Sequence, residues 1–304
     1  MDITATMVKE LRESTGAGMM DCKKALAEAN GDMVAAVDIL RTKGLADLAK
    51  KAGRATNEGV IGGLASDDGR TGALIEVNCE TDFVARNADF KSFVLELAAQ
   101  IISGAPADVP ALLAQPYTAR PDITVEQLLG EVVGKLGENM GITRFIRYEL
   151  TSPAGLIAVY IHGVGNIGVM VEVSAGSESA ATSTAAAGFA KDVAMQIAAA
   201  SPVAVRREEV PAEVVAYELS IYKAQAAETG KPEQIQEKIA LGRLEKYYKE
   251  FCLMEQSFVK NMDITIKQHA EQASAAAGAP LDVVRFQRLL LGETNPEPKP
   301  APAC

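Results

Sequence analysis

The sequence predicts an α+β protein in which helices cover one face of small antiparallel sheets. Three observations predict it: a helical pattern at the N-terminus, a unit of strands and helices that occurs twice, and a helical insertion inside the second copy. The chain has 304 residues, of which 48% are hydrophobic and 23% charged. That length and composition suit a globular protein of about two domains with a buried core.

The first segment, residues 1–52, has the pattern of three short helices. Asn30 and Gly31 predict the end of the second helix. Asp32 predicts the start of the third helix, and Gly44 predicts its end. The basic stretch after Gly44 is expected to lead out of this unit as a helix or a linker. The apolar face of the second helix is expected to consist of Cys22, Ala25, Leu26 and Ala29.

A duplication is visible when residues 59–106 are aligned with residues 155–202, a fixed offset of 96. No gap is needed, and twelve of the 48 positions are identical. The segment "GALIEV" falls on "GVMVEV", and "FVLELAAQI" falls on "FAKDVAMQI". Each copy is therefore predicted to run strand, turn, strand, loop, helix. The identical pairs are Gly59/Gly155, Ile61/Ile157, Gly69/Gly165, Gly72/Gly168, Glu76/Glu172, Val77/Val173, Ala85/Ala181, Phe93/Phe189, Ala98/Ala194, Gln100/Gln196, Ile101/Ile197 and Pro106/Pro202.

The alignment resumes at an offset of 141, where residues 124–150 fall on residues 265–291. In both copies a threonine is followed three residues later by a glutamine, a capping-box pattern that predicts helix starts at Thr124 and Thr265. The segments "ITRFIRYEL" and "VVRFQRLLL" then predict one more strand in each copy. The repeated unit is therefore strand, strand, helix, helix, strand. The expected core subdomains are 53–150 for the first copy, and 151–204 with 251–292 for the second.

An insertion of 45 residues, the difference between the two offsets, falls at about 205–250 in the second copy. Two helical segments separated by "TGK" predict an antiparallel helical hairpin there. Pro211 and Pro232 suit first helical positions, and Gly230 suits the end of the first helix. The pattern leaves open whether this hairpin is a spacer or an arm for a partner or a second subunit. The expected inward residues are Val214, Val215, Leu219 and Tyr222 in one helix, and Ile235, Ile239, Leu241 and Leu244 in the other.

Charge and cysteine usage argue against several kinds of partner and site. The formal net charge is −10, and an acidic surface repels phosphate backbones, so we expect no direct nucleic-acid partner. No pair of cysteines has C-x-x-C spacing and there are only two histidines, so we expect no metal centre and no cofactor. Isolated thiols suit a reducing cytoplasm. The cysteines are Cys22, Cys79, Cys252 and Cys304.

One segment has the length of a membrane span. Residues 154–171 carry no formal charge, but three glycines and Asn166 cluster in the middle of the run. Such residues are typical of a turn between two strands, and the first copy has the charged turn "DDGR" at this place. We therefore expect a buried hairpin and no membrane partner. The charged start, "MDITATMVKELRE", lacks the apolar run of a signal peptide, and the Pro-rich tail at 293–304 is predicted to be disordered.

No motif in the sequence predicts catalysis. The sequence contains no G-x-x-x-x-G-K-[ST] phosphate loop and no G-x-G-x-x-G motif, and no serine lies in the sequence context of a nucleophile. A thiol enzyme that uses Cys79 beside Glu80 is a candidate, but the sequence places no base next to it. We therefore expect that the protein is not an enzyme and has no catalytic residues.

The stretch "CETDFVARN", residues 79–87, has no equivalent in the second copy, which has "AGSESAATS". A phenylalanine that the shared core requires should have an apolar counterpart at the offset of 96. Phe93 has one in Phe189 and is predicted to be core. Phe83 corresponds to Ser179, which favours a functional role over packing, although local packing found only in the first copy stays open.

Two further places could bind a partner. Met19 and Met20 follow "TGAG" at a helix start, where one could be buried while its neighbour points outward. Lys23 lies one helical turn beyond Met20 and could extend a contact patch. His162 lies at a predicted hairpin turn, where a core histidine is not expected, and no nucleophile accompanies it.

These motifs together resemble the bacterial elongation factor Ts family from residue 3 to about residue 292. The long matches are "VKELRESTGAGMMDCKKALAEANGD" and "EVNCETDFVARN", supported by "GENM" followed by "RF" and by the hairpin "HG". The resemblance implies that the first 52 residues form a three-helix, ubiquitin-associated-like domain. It also implies two related core subdomains and a helical hairpin that forms a coiled coil and could make a homodimer.

The resemblance implies a guanine nucleotide exchange factor in the cytoplasm whose partner is the translational GTPase elongation factor Tu. The family's Mg²⁺-expelling motif falls on Thr81, Asp82, Phe83 and Val84. The family's secondary contacts fall on Arg12, Met19, Met20, Lys23, His162 and Gly163. The alternative that stays open is a protein-interaction module without exchange activity, which would use the N-terminal helical domain alone.

Overall fold

The N-terminal helices come first in the computed structural model, which describes residues 3–293. They are α1 (Ala5–Thr15), α2 (Met19–Glu28) and α3 (Met33–Lys51). Asp32 caps α3 through its side chain, as predicted. Leu11, Cys22 and Leu26 are fully buried in the cluster that these helices share. The predicted disordered tail lies, beyond Glu293, outside the described residues.

The prediction that α3 ends at Gly44 is wrong, because the helix continues to Lys51. Gly44 is buried where α3 crosses α7 (Val125–Leu136). A Cβ atom on Gly44 would lie 2.9 Å from the carbonyl oxygen of Gly130, and one on Gly130 would lie 3.0 Å from Gly44. Both glycines therefore serve the close approach of two helix backbones, and neither ends a helix.

The first copy of the repeated unit contains a three-stranded antiparallel sheet in the order β1-β2-β5. Helices α5 and α7 supply the apolar side chains that cover one face of this sheet. The short elements α6, β3 and β4 were not predicted, since segments of two to six residues are too short to show a period. The elements are β1 (Glu58–Ala65), β2 (Thr71–Cys79), α4 (Asp82–Ala85), α5 (Ala88–Gly104), α6 (Val109–Ala114), β3 (Pro116–Tyr117), β4 (Arg120–Thr124), α7 and β5 (Met140–Glu149).

The second copy repeats this arrangement with the sheet order β10-β7-β6, so the predicted α+β fold of two related units is confirmed. Both predicted capping boxes form, at Thr124 and at Thr265. Phe93 and Phe189 are both buried in their respective cores, as predicted. The elements are β6 (Gly155–His162), β7 (Ile167–Ala175), α8 (Glu178–Ala181), α9 (Thr184–Ala200), α10 (Ala212–Ala227), α11 (Glu233–Phe251), β8 (Ser257–Phe258), β9 (Asn261–Thr265), α12 (Ile266–Ala277) and β10 (Leu281–Leu290).

The two sheets face each other, and the repeated residues meet across this contact in matched pairs. A Cβ atom on Gly72 would lie 2.6 Å from the Ile157 side chain, and one on Gly168 would lie 2.5 Å from Ile61. Backbone hydrogen bonds repeat the pattern: Ile61 N donates to Gly165 O at 2.7 Å, and Ile157 N donates to Gly69 O at 2.8 Å. The offset of 96 therefore describes a twofold relation between the copies as well as a sequence repeat.

The insertion forms the predicted helical hairpin from α10 and α11. Pro211 and Pro232 occupy the cap positions, one residue before the first helical positions that we predicted for them. Residues of the predicted face of α10 pack on a small cluster that includes Leu244 and Tyr247. Two predicted inward residues of α11 are instead exposed, Ile235 and Leu241. A helix paired with only one neighbour buries a narrow stripe, so a loose apolar pattern overestimates its buried face.

Candidate partner-binding site

Phe83 is the most exposed large hydrophobic residue in the described chain, with 82% of its surface accessible. It lies in the one-turn helix α4, directly after strand β2. Its neighbours Val84 and Ala85 are buried in the core, so the turn itself is anchored while the phenyl ring points to solvent. At the equivalent place in α8 the second copy has Ser179. The fold therefore does not require an aromatic ring here.

The start of α4 is held by carboxylates from two segments. Thr81 caps the helix and donates to Glu138 twice, from its amide at 3.0 Å and from its hydroxyl at 2.6 Å. In the opposite direction, Glu80 accepts from the Asn139 amide at 2.6 Å. That hydrogen bond lowers the pKa of the Glu80 carboxyl, and the charge of Arg54 lowers it further. The loop that carries Phe83 is thus tied to the strand beside it.

Asp82 pairs with Arg86 one turn later, at 3.1 Å between Oδ2 and Nη2. Both side chains are largely accessible, at 48% and 69%. An exposed pair of this kind contributes little to stability, since solvent screens it. The carboxylate of Asp82 can therefore exchange Arg86 for a cationic group of a partner at little cost.

A second surface lies on the N-terminal helices. Met19 and Met20 are both exposed, at 60% and 63%, so the prediction that one of them could be buried is wrong. They lie in the first turn of α2, where the core side is taken by Cys22 and Ala25. The two methionines line a groove with Arg12 and Lys23, which gives an apolar surface with a basic rim. The other lining residues are Ile3, Ala5, Val8, Lys9, Glu13, Gly16 and Lys135.

Lys135, which sequence reasoning missed, connects the groove of the N-terminal helices to helix α5. This residue of α7 lines the groove of the N-terminal helices, and its Nζ lies 2.9 Å from Asp89 Oδ2 in the first turn of α5. Arg41 of α3 adds an ion pair to Asp122 at 2.6 Å. With the contact of Gly44 and Gly130, the pair of Arg41 and Asp122 fixes the N-terminal helices against the unit that carries Phe83. Only the spatial pairing reveals Lys135, because a lone lysine in a helix has no distinctive sequence pattern.

His162 and Gly163 lie at the tip of the β6–β7 hairpin, as predicted. Both are exposed, and Gly163 has φ +61°, a left-handed conformation that suits glycine. The Tyr160 hydroxyl and His162 Nδ1 are 2.9 Å apart, which orients the ring. This hairpin belongs to the second copy, whereas Phe83 belongs to the first, so the predicted contacts are distributed over both units and the N-terminal helices.

The structure argues against the thiol-enzyme hypothesis. Cys79 is fully buried, and its Sγ donates to the Thr81 carbonyl at 3.2 Å. Burial raises the pKa of the thiol to about 12, and the charge of Glu138 adds to the increase. At neutral pH the group is a thiol, and the thiol is a poor nucleophile. Across residues 3–293, no three His, Cys, Asp or Glu side chains form a group that could hold a metal ion.

The uncharged run at 154–171 forms β6, its turn and part of β7, which confirms the predicted hairpin. Within the described part of the chain, no helix combines the length and apolar character needed to cross a membrane.

Comparison with known proteins identifies the family to which this chain belongs. The family model described as "Elongation factor TS" matches residues 80–293. The chain is 45% identical to elongation factor Ts of Trichlorobacter lovleyi over 293 residues, which cover 96% of this chain and 94% of that protein. It is 49% identical to elongation factor Ts of Clostridium kluyveri over 291 residues, which cover 96% and 93%. With elongation factor Ts of Clostridioides difficile the identity is 48% over 292 residues. The chain therefore belongs to the elongation factor Ts family, a family of translation elongation factors.

Proposed function

We propose that the protein is a guanine nucleotide exchange factor of translation elongation in the cytoplasm. It binds elongation factor Tu in its GDP form, disrupts the Mg²⁺ and phosphate site, and promotes release of GDP so that GTP can bind. A GTPase of this kind holds its nucleotide through phosphate-loop amides and a bridging Mg²⁺ ion. No covalent step is needed, since binding energy alone shifts the partner's conformation, and for this reason we propose no enzyme activity.

The exposed ring of Phe83 is the observation that carries the proposal. A phenyl ring left 82% accessible on an anchored turn gains free energy only when a partner covers it. Its full burial would contribute roughly 2–3 kcal/mol. That energy can stabilise a partner conformation in which the Mg²⁺ ligands are displaced. Thr81 caps the turn, Val84 anchors it, and Asp82 offers a carboxylate beside the phenyl ring.

The remaining binding energy comes from surfaces outside this turn. The groove of Arg12, Met19, Met20 and Lys23 fits an apolar patch with acidic groups around it. His162 and Gly163 would contact a more distal part of the partner. Because coupling between two ligands of one protein is reciprocal, the factor weakens nucleotide binding as much as nucleotide weakens factor binding. Incoming nucleotide then displaces the factor, which can act again.

The direct test is release of labelled GDP from elongation factor Tu, with and without this protein. We expect Phe83→Ala to slow release by about tenfold or more, which corresponds to about 1.4 kcal/mol or more at the transition state. Its melting temperature should stay near that of the wild type, since Ser179 occupies the equivalent position. Phe93→Ala is the matched control and should lose stability, because it empties a core site. An unfolded Phe83→Ala protein would show that Phe83 is needed for local packing.

The role of Mg²⁺ is tested by a four-point cycle. GDP release is measured by stopped flow for wild type and Phe83→Ala, each with Mg²⁺ and with EDTA. If Phe83 acts on the metal site, chelation accelerates GDP release from the partner alone. It also reduces the difference in release rate between wild type and Phe83→Ala. The interaction term of the cycle measures this coupling. A term near zero would mean that Phe83 acts elsewhere, on the phosphate loop or the base pocket.

The alternative, a module that binds through its N-terminal helices without exchange activity, makes a different prediction. It requires that Met19→Ser with Met20→Ser abolishes binding, while Phe83→Ala changes nothing. Leu48 of α3 packs on the core of the first copy, so substitutions test this better than deletion of residues 1–52. We expect the double variant to weaken complex formation and Phe83→Ala to slow exchange, which this alternative cannot explain.

The helical hairpin is our candidate for a homodimer contact. Tyr217, Ile235 and Leu241 are exposed apolar or aromatic residues on its two helices. Sedimentation of the wild type and of Tyr217→Ser with Leu241→Ser at the same concentrations tests this. A monomeric wild type at every concentration would leave the hairpin as a spacer or an arm for a different partner.

A further inference from the structure

The sheet of the first copy continues past its last backbone pair by means of side chains. The register of β2 and β5 ends with Cys79 opposite Met140. The next two residues of each strand are joined crosswise: the Glu80 carboxylate accepts from Asn139 N, and the Glu138 carboxylate accepts from Thr81 N. Carboxylates thus take the place of backbone carbonyls in the ladder. Such charge-assisted bonds are stronger than bonds between neutral groups.

Helix α4 has only four residues. A single helical turn fixes several backbone dihedrals for one hydrogen bond, so it is unstable on its own. The capping bond from Val84 N to the Thr81 hydroxyl oxygen is long, at 3.4 Å. The same hydroxyl donates to Glu138 at 2.6 Å, which holds the cap in place. Glu138 is thus bonded to the residue that caps the helix carrying Phe83.

The second copy shows what the fold does without this arrangement. Ala279 and Pro280 stand where the first copy has Glu138 and Asn139, at the offset of 141. The two segments of the chain are joined there by a backbone hydrogen bond, from Gly176 N to Pro280 O at 2.8 Å. Helix α8 still forms with a serine cap, and it carries Ser179. The one-turn helix thus exists without carboxylate anchors where no aromatic ring is exposed.

We propose that Glu138 is a positioning residue that holds Thr81 so that helix α4 presents Phe83 to the partner in one fixed direction. The part of this inference that concerns nucleotide release rests on the proposed function. A preorganised ring loses less conformational entropy on binding than one on a mobile turn. Glu138 therefore acts on the maximal rate of nucleotide release and acts little on overall affinity, which the other surfaces supply.

The first test measures the motion of the turn in the free protein and needs no partner. The chain contains no tryptophan, so Phe83→Trp introduces a single indole at the relevant place. We expect Glu138→Ala in that background to increase the fast, sub-nanosecond part of the fluorescence anisotropy decay by about twofold, since local motion of a loosened loop lies on this timescale. Glu138→Gln keeps one acceptor oxygen and should give an intermediate value. Glu149→Ala, an exposed residue at the other end of β5, is the control and should change nothing.

The second test measures GDP release from elongation factor Tu at increasing concentrations of each variant that retains Phe83. We expect Glu138→Ala to lower the maximal rate about fivefold and to change the half-saturating concentration by less than about twofold. Partial rescue by Glu138→Gln identifies the lost acceptors as the cause. Melting temperatures of all variants identify any loss of release rate that is caused by general destabilisation of the protein.

The outcomes separate the inference from the function on which it rests. Unchanged anisotropy in Glu138→Ala overturns the positioning role, whatever the exchange rates are. Faster indole motion together with an unchanged exchange rate also overturns it, provided that Phe83→Ala is slow. A fully active Phe83→Ala protein overturns the proposed function instead. Faster motion with a reduced maximal rate and an unchanged half-saturating concentration supports both.

Discussion

Two phenylalanines ten residues apart show how position decides the role of a residue type. Phe93 points from α5 into the core and is 2% exposed, whereas Phe83 is 82% exposed on the turn before it. Both follow the same strand, so local hydrophobicity cannot separate them. The repeat separates them, since an apolar partner at the offset of 96 exists only for Phe93. The structure adds the reason: Val84 and Ala85 fill the core beneath the turn and leave no place for Phe83.

Cys79 allows a prediction about the candidate site that does not involve a partner. Its thiol has a pKa raised to about 12, so at pH 7.5 almost none of it is thiolate. In a chain with Cys304→Ser, we expect iodoacetamide to leave Cys79 unmodified until denaturant is added. The group is also inaccessible, so raising the pH to about 9 should increase labelling little.

The readout is mass spectrometry of digested peptides. Rapid modification of Cys79 in the folded protein would show that the core opens at this strand end. Cys79→Ala should retain exchange activity, because nothing in the proposed mechanism uses the thiol.

At the level of elements, glycine has two opposite meanings in this chain. Gly137 and Gly278 end α7 and α12 with positive φ angles, which is the usual role of glycine at a helix end. Gly44 lies inside α3, where the missing side chain lets α7 approach. The same residue type therefore ends a helix at Gly137 and Gly278 and allows a helix crossing at Gly44. That crossing holds the groove of Met19 and Met20 against the unit that carries Phe83.

We predict that Gly44→Ala loosens this attachment. In a free helix the change would stabilise the helix by about 1 kcal/mol. Here the new Cβ atom would lie 2.9 Å from the Gly130 carbonyl oxygen and would force the two helices apart. Gly134→Ala in α7 is the matched control, since no heavy atom lies within 4 Å of its added Cβ.

Hydrogen exchange of the amides in α3 checks the prediction. We expect faster exchange in Gly44→Ala and unchanged or slower exchange in Gly134→Ala. Equal protection in the two variants would mean that the N-terminal helices are held by their ion pairs and not by the close contact. GDP release then shows whether a loosened attachment reduces exchange activity.

In the whole molecule, two arginines that pair with buried glutamates also bind the other copy in a reciprocal way. Arg144 pairs with Glu76 at 2.8 Å and also donates to the carbonyl of Leu290 in the other copy. Arg285 pairs with Glu172 at 2.7 Å and donates to the carbonyl of Glu149. Burial would raise the pKa of Glu172, but hydrogen bonds from Thr151 and Arg285 lower it overall, so the carboxylate stays charged. Each arginine thus pairs with a glutamate of its own copy and donates a hydrogen bond to a backbone carbonyl at a strand end of the other copy.

We predict that Arg144→Met destabilises the protein by about 3 kcal/mol, because it leaves the nearly inaccessible Glu76 without its counterion. The double change Arg144→Met with Glu76→Met should restore most of this loss, since it removes the uncompensated charge as well. Lys9→Met breaks an exposed pair with Glu13 and should change stability little.

Urea unfolding followed by circular dichroism measures the three variants. A double variant as unstable as Arg144→Met would show that the bond to Leu290 matters more than the buried charge. In that case the contact between the copies, and not the ion pair within one copy, would govern stability.

The sequence by itself determined the α+β class, the repeat and the helical hairpin. These follow from local periodicity, from capping residues and from the alignment of the chain with itself, all of which lie within short stretches or at a fixed offset. The exposed state of Phe83 was also inferable, because the second copy shows what the scaffold tolerates.

Only the tertiary structure decided which residues support that site. Glu138 lies 57 residues from Thr81 in sequence, and Lys135 lies 46 residues from Asp89, yet each pair is in direct contact. It also showed that Gly44 belongs to a helix crossing, that Met19 and Met20 are both exposed, and that Ile235 and Leu241 face solvent. A side-chain pattern specifies the face that a helix buries, but the distance between two backbones, and the acceptor that an amide finds, are properties of the packed chain.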